Sequence, residues 1–173
     1  MIITDENQKR VLRGLVKAMQ AEREGHTFYK MAAGATEDPK GREVFGRLAD
    51  EEIAHFEFLR AQYKSLTETG KVDGSALLGT PSDLSGTSPI FSERLRDRIK
   101  DAHYEMTALS VAAQLEQDAE RHYRAEANVA ADPSVKRFFL ELAAWEALHY
   151  AAITAQQDEL KESYWAAGGF APF

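Results

Sequence analysis

Apolar residues recur at intervals of three and four along four long stretches of the chain. The first stripe holds Leu12, Leu15, Met19, Tyr29 and Ala33, and the second Phe45, Leu48, Leu59 and Tyr63. The third holds Leu109, Ala112, Ala119 and Tyr123, and the fourth Phe139, Leu142 and Ile153. This spacing predicts four amphipathic helices, over about residues 4–33, 39–66, 92–128 and 133–162. Start signals agree. Thr4 can cap the first helix, with Asp5 and Glu6 at its positive end. Asp38-Pro39 and Asp132-Pro133 each pair an N-cap residue with the residue favoured at the first helical position. Gly34 stops the first helix.

The connections set the topology. Helices one and two, and three and four, are joined by short loops and so form antiparallel hairpins. The segment between the hairpins, 67–91, is rich in Gly, Pro, Ser and Thr and reads as a long crossover loop. Neither hairpin could bury its stripe alone, so 1–162 is one all-α, four-helix bundle. The aromatic stretch 163–173 is expected to be a loop-like tail, packed on the bundle or a neighbouring subunit or docking a partner. The two hairpins also repeat. A shift of 94 residues places Glu22 on Glu116, Tyr29 on Tyr123 and Asp38-Pro39 on Asp132-Pro133. The same shift places Phe45-x-x-Leu48-Ala49-x-x-Glu52-x-x-His55 on Phe139-x-x-Leu142-Ala143-x-x-Glu146-x-x-His149.

Charge interrupts each stripe at its middle. Glu22, Glu52, Glu116 and Glu146 sit on core-facing positions, with His55 and His149 one turn beyond the second and fourth. Each Glu lies 15 residues from the centre of its hairpin turn, roughly 22 Å along the helix axis. Each hairpin therefore places two Glu and one His at one level. An unpaired buried carboxylate costs several kcal/mol, and no Arg or Lys lies on these stripes to offset it. A pair of metal ions supplies the missing charge. Four Glu and two His converging in a four-helix core form a carboxylate di-metal arrangement. Such donors suit Fe, Mn or Zn. Tyr29 and Tyr123 share the same face, as core tyrosines or as hydrogen-bond partners of a ligand carboxylate. His26 and Glu120 follow a ligand Glu by one turn and read mainly as structural residues. His103 and His122 read as surface or core histidines.

Composition narrows the functional classes. With 44% hydrophobic and 28% charged residues in 173, the chain is globular and long enough for one core. A net charge of −7 argues against nucleic acid or an anionic membrane as partner. The absence of Cys excludes disulfides, thiol catalysis and iron–sulfur or rubredoxin-type centres on this chain. No apolar run approaches a membrane span, and Met1–Gln8 has no features of a secretory signal, so a cytoplasmic location is expected.

Through Glu22…Glu52-x-x-His55…Glu116…Glu146-x-x-His149, the chain resembles the rubrerythrin family of the ferritin-like di-iron superfamily up to about Glu162. The resemblance implies that Glu52 and Glu146 bridge two iron ions, Glu22 and His55 completing one and Glu116 and His149 the other. It also implies peroxide reduction or Fe(II) oxidation, and a homodimer. Two features depart from the family pattern. No Cys is available for a rubredoxin relay, so an external electron-donor protein, or Fe(II) itself, must supply electrons. The family's extra ligand Glu, three residues after the helix-three Glu, is replaced by Ala119, and Glu120 points about 100° away. Three functions are expected, in descending order. The first is a di-iron oxidoreductase acting on hydrogen peroxide, oxygen or Fe(II). The second is an iron-storage or iron-handling protein, and the third a structural bundle holding a redox-inert metal.

Overall fold

The computed structural model describes residues 6–168. Five α-helices follow in order: α1 (Glu6–Ala35), α2 (Pro39–Thr69), α3 (Glu93–Asp97), α4 (His103–Val129) and α5 (Pro133–Gly168). The expected Thr4 cap lies outside the described residues. The Asp-Pro starts behave as local chemistry demands. The Asp38 carboxylate accepts from Gly41 N–H at 2.9 Å, and Asp132 accepts from Ser134 N–H at 2.7 Å. α2 ends on Gly70, whose φ of 73° closes the helix with an N–H bond back to Leu66.

α1 packs on α2 and α4 on α5 as two hairpins, and the hairpins meet through α1 against α4. Phe58 of α2 and Phe138 of α5, with ring centroids 5.9 Å apart, meet on the opposite side. The apolar core divides into two clusters. One gathers Tyr29, Phe45, Leu48, Leu109, Ala112 and Ile153. The other gathers Leu12, Leu15, Leu59, Tyr123, Phe139 and Leu142. In each of the four long helices one buried Glu (Glu22, Glu52, Glu116 or Glu146) falls between residues of one cluster and residues of the other. The bundle is thus two oily layers separated by one ionisable layer.

Two expectations need correction. The third helix does not run unbroken from Ser92. It is divided into α3, a single 3₁₀ turn (Ile99–Asp101) and α4, because Arg98 and Ala102 leave α geometry. Leu95, Ile99 and Ala102 keep helical spacing across the break, so the sequence pattern carries no sign of it. The break lets α3 and the turn lie against α5, closing one end of the core beside Ile90 and Phe91. The tail also differs. Residues 163–168 continue α5, because Ile153, Gln156, Leu160 and Tyr164 prolong its buried stripe past Glu162. Residues 169–173 lie outside the described residues.

The crossover is tied down at both ends by two buried glutamines related by the 94-residue shift. Gln62 exchanges two hydrogen bonds with the backbone of Asp73, at 2.9 and 3.0 Å. Gln156 Oε1 accepts from the N–H groups of Ile90 and Phe91, at 3.0 and 2.8 Å. Each satisfies backbone groups that have no ladder or helix partner. No helix among the described residues is long and apolar enough to cross a membrane.

Candidate metal centre

Glu22 on α1, Glu52 and His55 on α2, Glu116 on α4, and Glu146 and His149 on α5 are all buried and converge at mid-bundle. They form two overlapping groups, Glu22, Glu52, His55, Glu146 and Glu52, Glu116, Glu146, His149, each with donor atoms within 4.8 Å of one another. Glu52 and Glu146 belong to both. Glu146 turns one oxygen to each imidazole, at 3.1 Å from His55 Nδ1 and 3.4 Å from His149 Nδ1. Glu22 lies 3.4 Å from His55 Nδ1, and Glu116 3.5 Å from His149 Nδ1. The imidazole rings are 6.3 Å apart and 19° from parallel.

The two tyrosines reach across the hairpins. Tyr29 of α1 donates its hydroxyl proton to Glu116 of α4, and Tyr123 of α4 donates to Glu22 of α1. Each stacks on the repeat-equivalent phenylalanine, Tyr29 on Phe45 at 6.0 Å and Tyr123 on Phe139 at 6.1 Å. The pseudo-twofold relation of the sequence repeat is therefore present in the chemistry. Burial and the adjacent carboxylates raise both phenols well above their usual range, so they remain hydrogen-bond donors.

Charge balance is the unusual feature of this layer. None of the four carboxylates pairs with a Lys or Arg among the described residues. Burial and repulsion between the acids push Glu52 far up and Glu116 up to about 8. Burial opposes charge on His55, but Glu146 and Glu22 overcome it and raise the imidazole to about 10. Burial likewise opposes charge on His149, whose proton affinity Glu116, Glu146 and Glu51 raise well above normal. Glu52 and Glu116 therefore favour their neutral, protonated forms, while both imidazoles favour their protonated forms. Glu22 Oε2, Glu52 Oε1, both Glu146 oxygens, His149 Nδ1 and both His55 nitrogens have no hydrogen-bond partner. Buried polar atoms are nearly always satisfied, so a cluster of orphans on hard O and N donors fits divalent metal ions.

A cradle for Glu52 is built into α1. A Cβ on Gly25 would lie 2.6 Å from Glu52 Oε2, so the absence of a side chain there leaves that carboxylate its present place. A cavity of about 520 Å³ opens here between α1 and α4, bordered by Gly25, Ala119, Glu22, Glu52 and Glu116. Ala119 therefore contributes space, not a ligand. His26 is set apart, its Nδ1–H bonded to the Ala49 carbonyl at 2.7 Å. Glu120 pairs with Arg124 at 2.7 Å. His122 lies with Nε2 3.1 Å from the Gly14 carbonyl, and His103 is exposed at the start of α4.

Sequence reasoning missed Glu51. Its Oε2 accepts from His149 Nε2–H at 2.9 Å and from Trp145 Nε1–H at 2.7 Å. Its Oε1 accepts from the Ser82 N–H of the crossover at 3.0 Å. Burial alone would raise this acid, but these three donors hold it down at about 2. The only signal in the sequence was its place beside Glu52, where an acidic residue on an acidic helix reads as solvated.

No curated protein and no solved structure matches the chain at a significant level. The rubrerythrin family model matches residues 14–152, which take in all six converging side chains and both tyrosines. The chain belongs to the rubrerythrin family of ferritin-like di-iron carboxylate proteins.

Proposed function

We propose that the chain is a di-iron oxidoreductase that reduces hydrogen peroxide, or oxidises Fe(II), with electrons from outside the chain. One observation carries this reading: two three-Glu, one-His groups share Glu52 and Glu146 in a buried layer that holds no Lys or Arg among the described residues. Glu22 and His55 would hold one ion, Glu116 and His149 the other, with Glu52 and Glu146 common to both. Two iron ions held there would supply two one-electron changes; with two protons from solvent, those two electrons cleave the O–O bond of hydrogen peroxide to give two waters. The protein's own part is positioning. Tyr29 and Tyr123 hold the outer carboxylates in place. The two oily layers exclude bulk water. The opening beside Gly25 and Ala119 admits something as small as peroxide. The sequence contains no Cys, so a separate electron donor, or Fe(II) itself, serves as reductant. On family resemblance we propose a homodimer; a solution mass of one chain would refute it.

The test is anaerobic Fe(II) loading followed by rapid mixing with peroxide and, separately, with oxygen. Saturation at two irons per chain and faster oxidation by peroxide are expected. Glu52→Ala and His149→Ala should lose both iron and turnover. Uptake far beyond two irons would instead make this a storage protein. Bound iron inert to both oxidants would leave a structural bundle, and normal metal content in both variants would refute the ligand set.

A further inference from the structure

The two halves of the centre match closely in their inner donors. Each has one outer Glu bonded by a Tyr from the opposite hairpin, one His presenting Nδ1 to the carboxylates, and the shared Glu52 and Glu146. They differ behind the histidines. The residue preceding Glu52 is Glu51, and the residue preceding Glu146, at the repeat-equivalent place, is Trp145. The resulting contacts are unequal. His149 Nε2–H donates to the Glu51 carboxylate at 2.9 Å. His55 Nε2 is buried without a hydrogen-bond partner, and the Trp145 ring lies against it, centroids 4.8 Å apart and 86° from coplanar.

We propose that Glu51 is a positioning residue that makes the two metal positions inequivalent, so that the first metal ion settles at His149 and the second at His55. The inference rests on the di-metal reading above. An anionic acceptor on the outer nitrogen fixes the tautomer with the inner nitrogen free, locks the ring and strengthens its donation to a metal. Glu51 is itself immobilised by Trp145 Nε1–H and by Ser82 N–H, so it can hold His149 without reorganising. Trp145 thus acts twice: it supports the acceptor on one side and occupies the place of an acceptor on the other. His55 has no such acceptor: its outer nitrogen meets only the Trp145 ring, so nothing on that side fixes its tautomer.

The experiment loads the full chain, labelled with ¹⁵N-histidine, with Zn(II) alone and follows the imidazole resonances. His55 and His149 are assigned from H55Q and H149Q. At one equivalent, His149 should be occupied about tenfold or more over His55, the lower end of the effect of such partners. In Glu51→Ala the preference should collapse towards parity. In Glu51→Gln, which keeps a neutral acceptor, part of it should survive. Two zinc ions bound with no preference in the wild type would overturn this inference and leave the di-metal reading intact. A preference unchanged in Glu51→Ala would also overturn it. Failure to bind zinc at all would overturn both.

Discussion

Gly25→Ala separates the fold from the metal centre. Gly25 is buried mid-way along α1, where alanine is the better helix former by about 0.5–1 kcal/mol. The methyl group, however, would stand 2.6 Å from Glu52 Oε2 and 3.2 Å from Glu52 Cδ, where ordinary contact begins at 3.4 Å. The carboxylate must therefore retreat by about 0.8 Å, and it can, being the end of a flexible side chain. Metal–ligand distances tolerate only about 0.2 Å. Because Glu52 belongs to both groups, both metal positions should suffer. The expected result is a metal-free protein at least as stable as the wild type, with metal affinity about tenfold or more lower, roughly 1.4 kcal/mol. Thermal unfolding of the metal-free protein and anaerobic Fe(II) titration measure the two halves of this statement. Unchanged affinity would show that Glu52 is not a shared ligand from its place beside Gly25. Destabilisation of the metal-free protein would show that the collision falls on the helix packing and not on the carboxylate.

Two further outcomes follow from the same geometry. The metal-free protein should lose stability as pH rises from about 6 to 9, because Glu116 and His55 carry raised proton affinities, about 8 and about 10. Their unfolded values are near 4.3 and 6.5, so the folded state holds the extra protons and gives up that advantage as they dissociate. Metal ions replace those protons, so the loaded protein should not share the decline; a metal-free melting temperature that climbs over this range would contradict the account. At the crossover, Gln156→Leu leaves the Ile90 and Phe91 N–H groups buried without an acceptor. At about 1–3 kcal/mol for each of the two orphaned donors, a loss of roughly 2–6 kcal/mol is expected in denaturant unfolding, with two metals still bound. A loss under 1 kcal/mol would mean that other contacts hold the segment.

What was written locally was legible. Helix periodicity, the Asp38-Pro39 and Asp132-Pro133 starts and the 94-residue repeat act over one or two turns, or by simple translation, and they predicted the hairpins. The level of Glu22, Glu52, Glu116 and Glu146 followed from equal distance to the turns, since two antiparallel helices of one rise must place such residues side by side. The tyrosines could be placed on the site face, but not matched to their carboxylates. Tyr29 meets Glu116 and Tyr123 meets Glu22 only because α1 packs on α4.

The remainder was decided where separate helices approach. The break between α3 and α4 leaves the apolar spacing unaltered and shows only in how that segment lies against α5. The Gly25 cradle depends on how closely α2 brings Glu52 to the α1 backbone. The contact of Glu51 with His149 spans 98 residues of sequence and depends on the α2–α5 approach and on Ser82. The sequence by itself determined the two helical hairpins and the six-residue layer, because both are set by one-dimensional spacing. Only the tertiary structure decided which partner stands behind each histidine, because that is a matter of distances between helices that no spacing along one helix encodes.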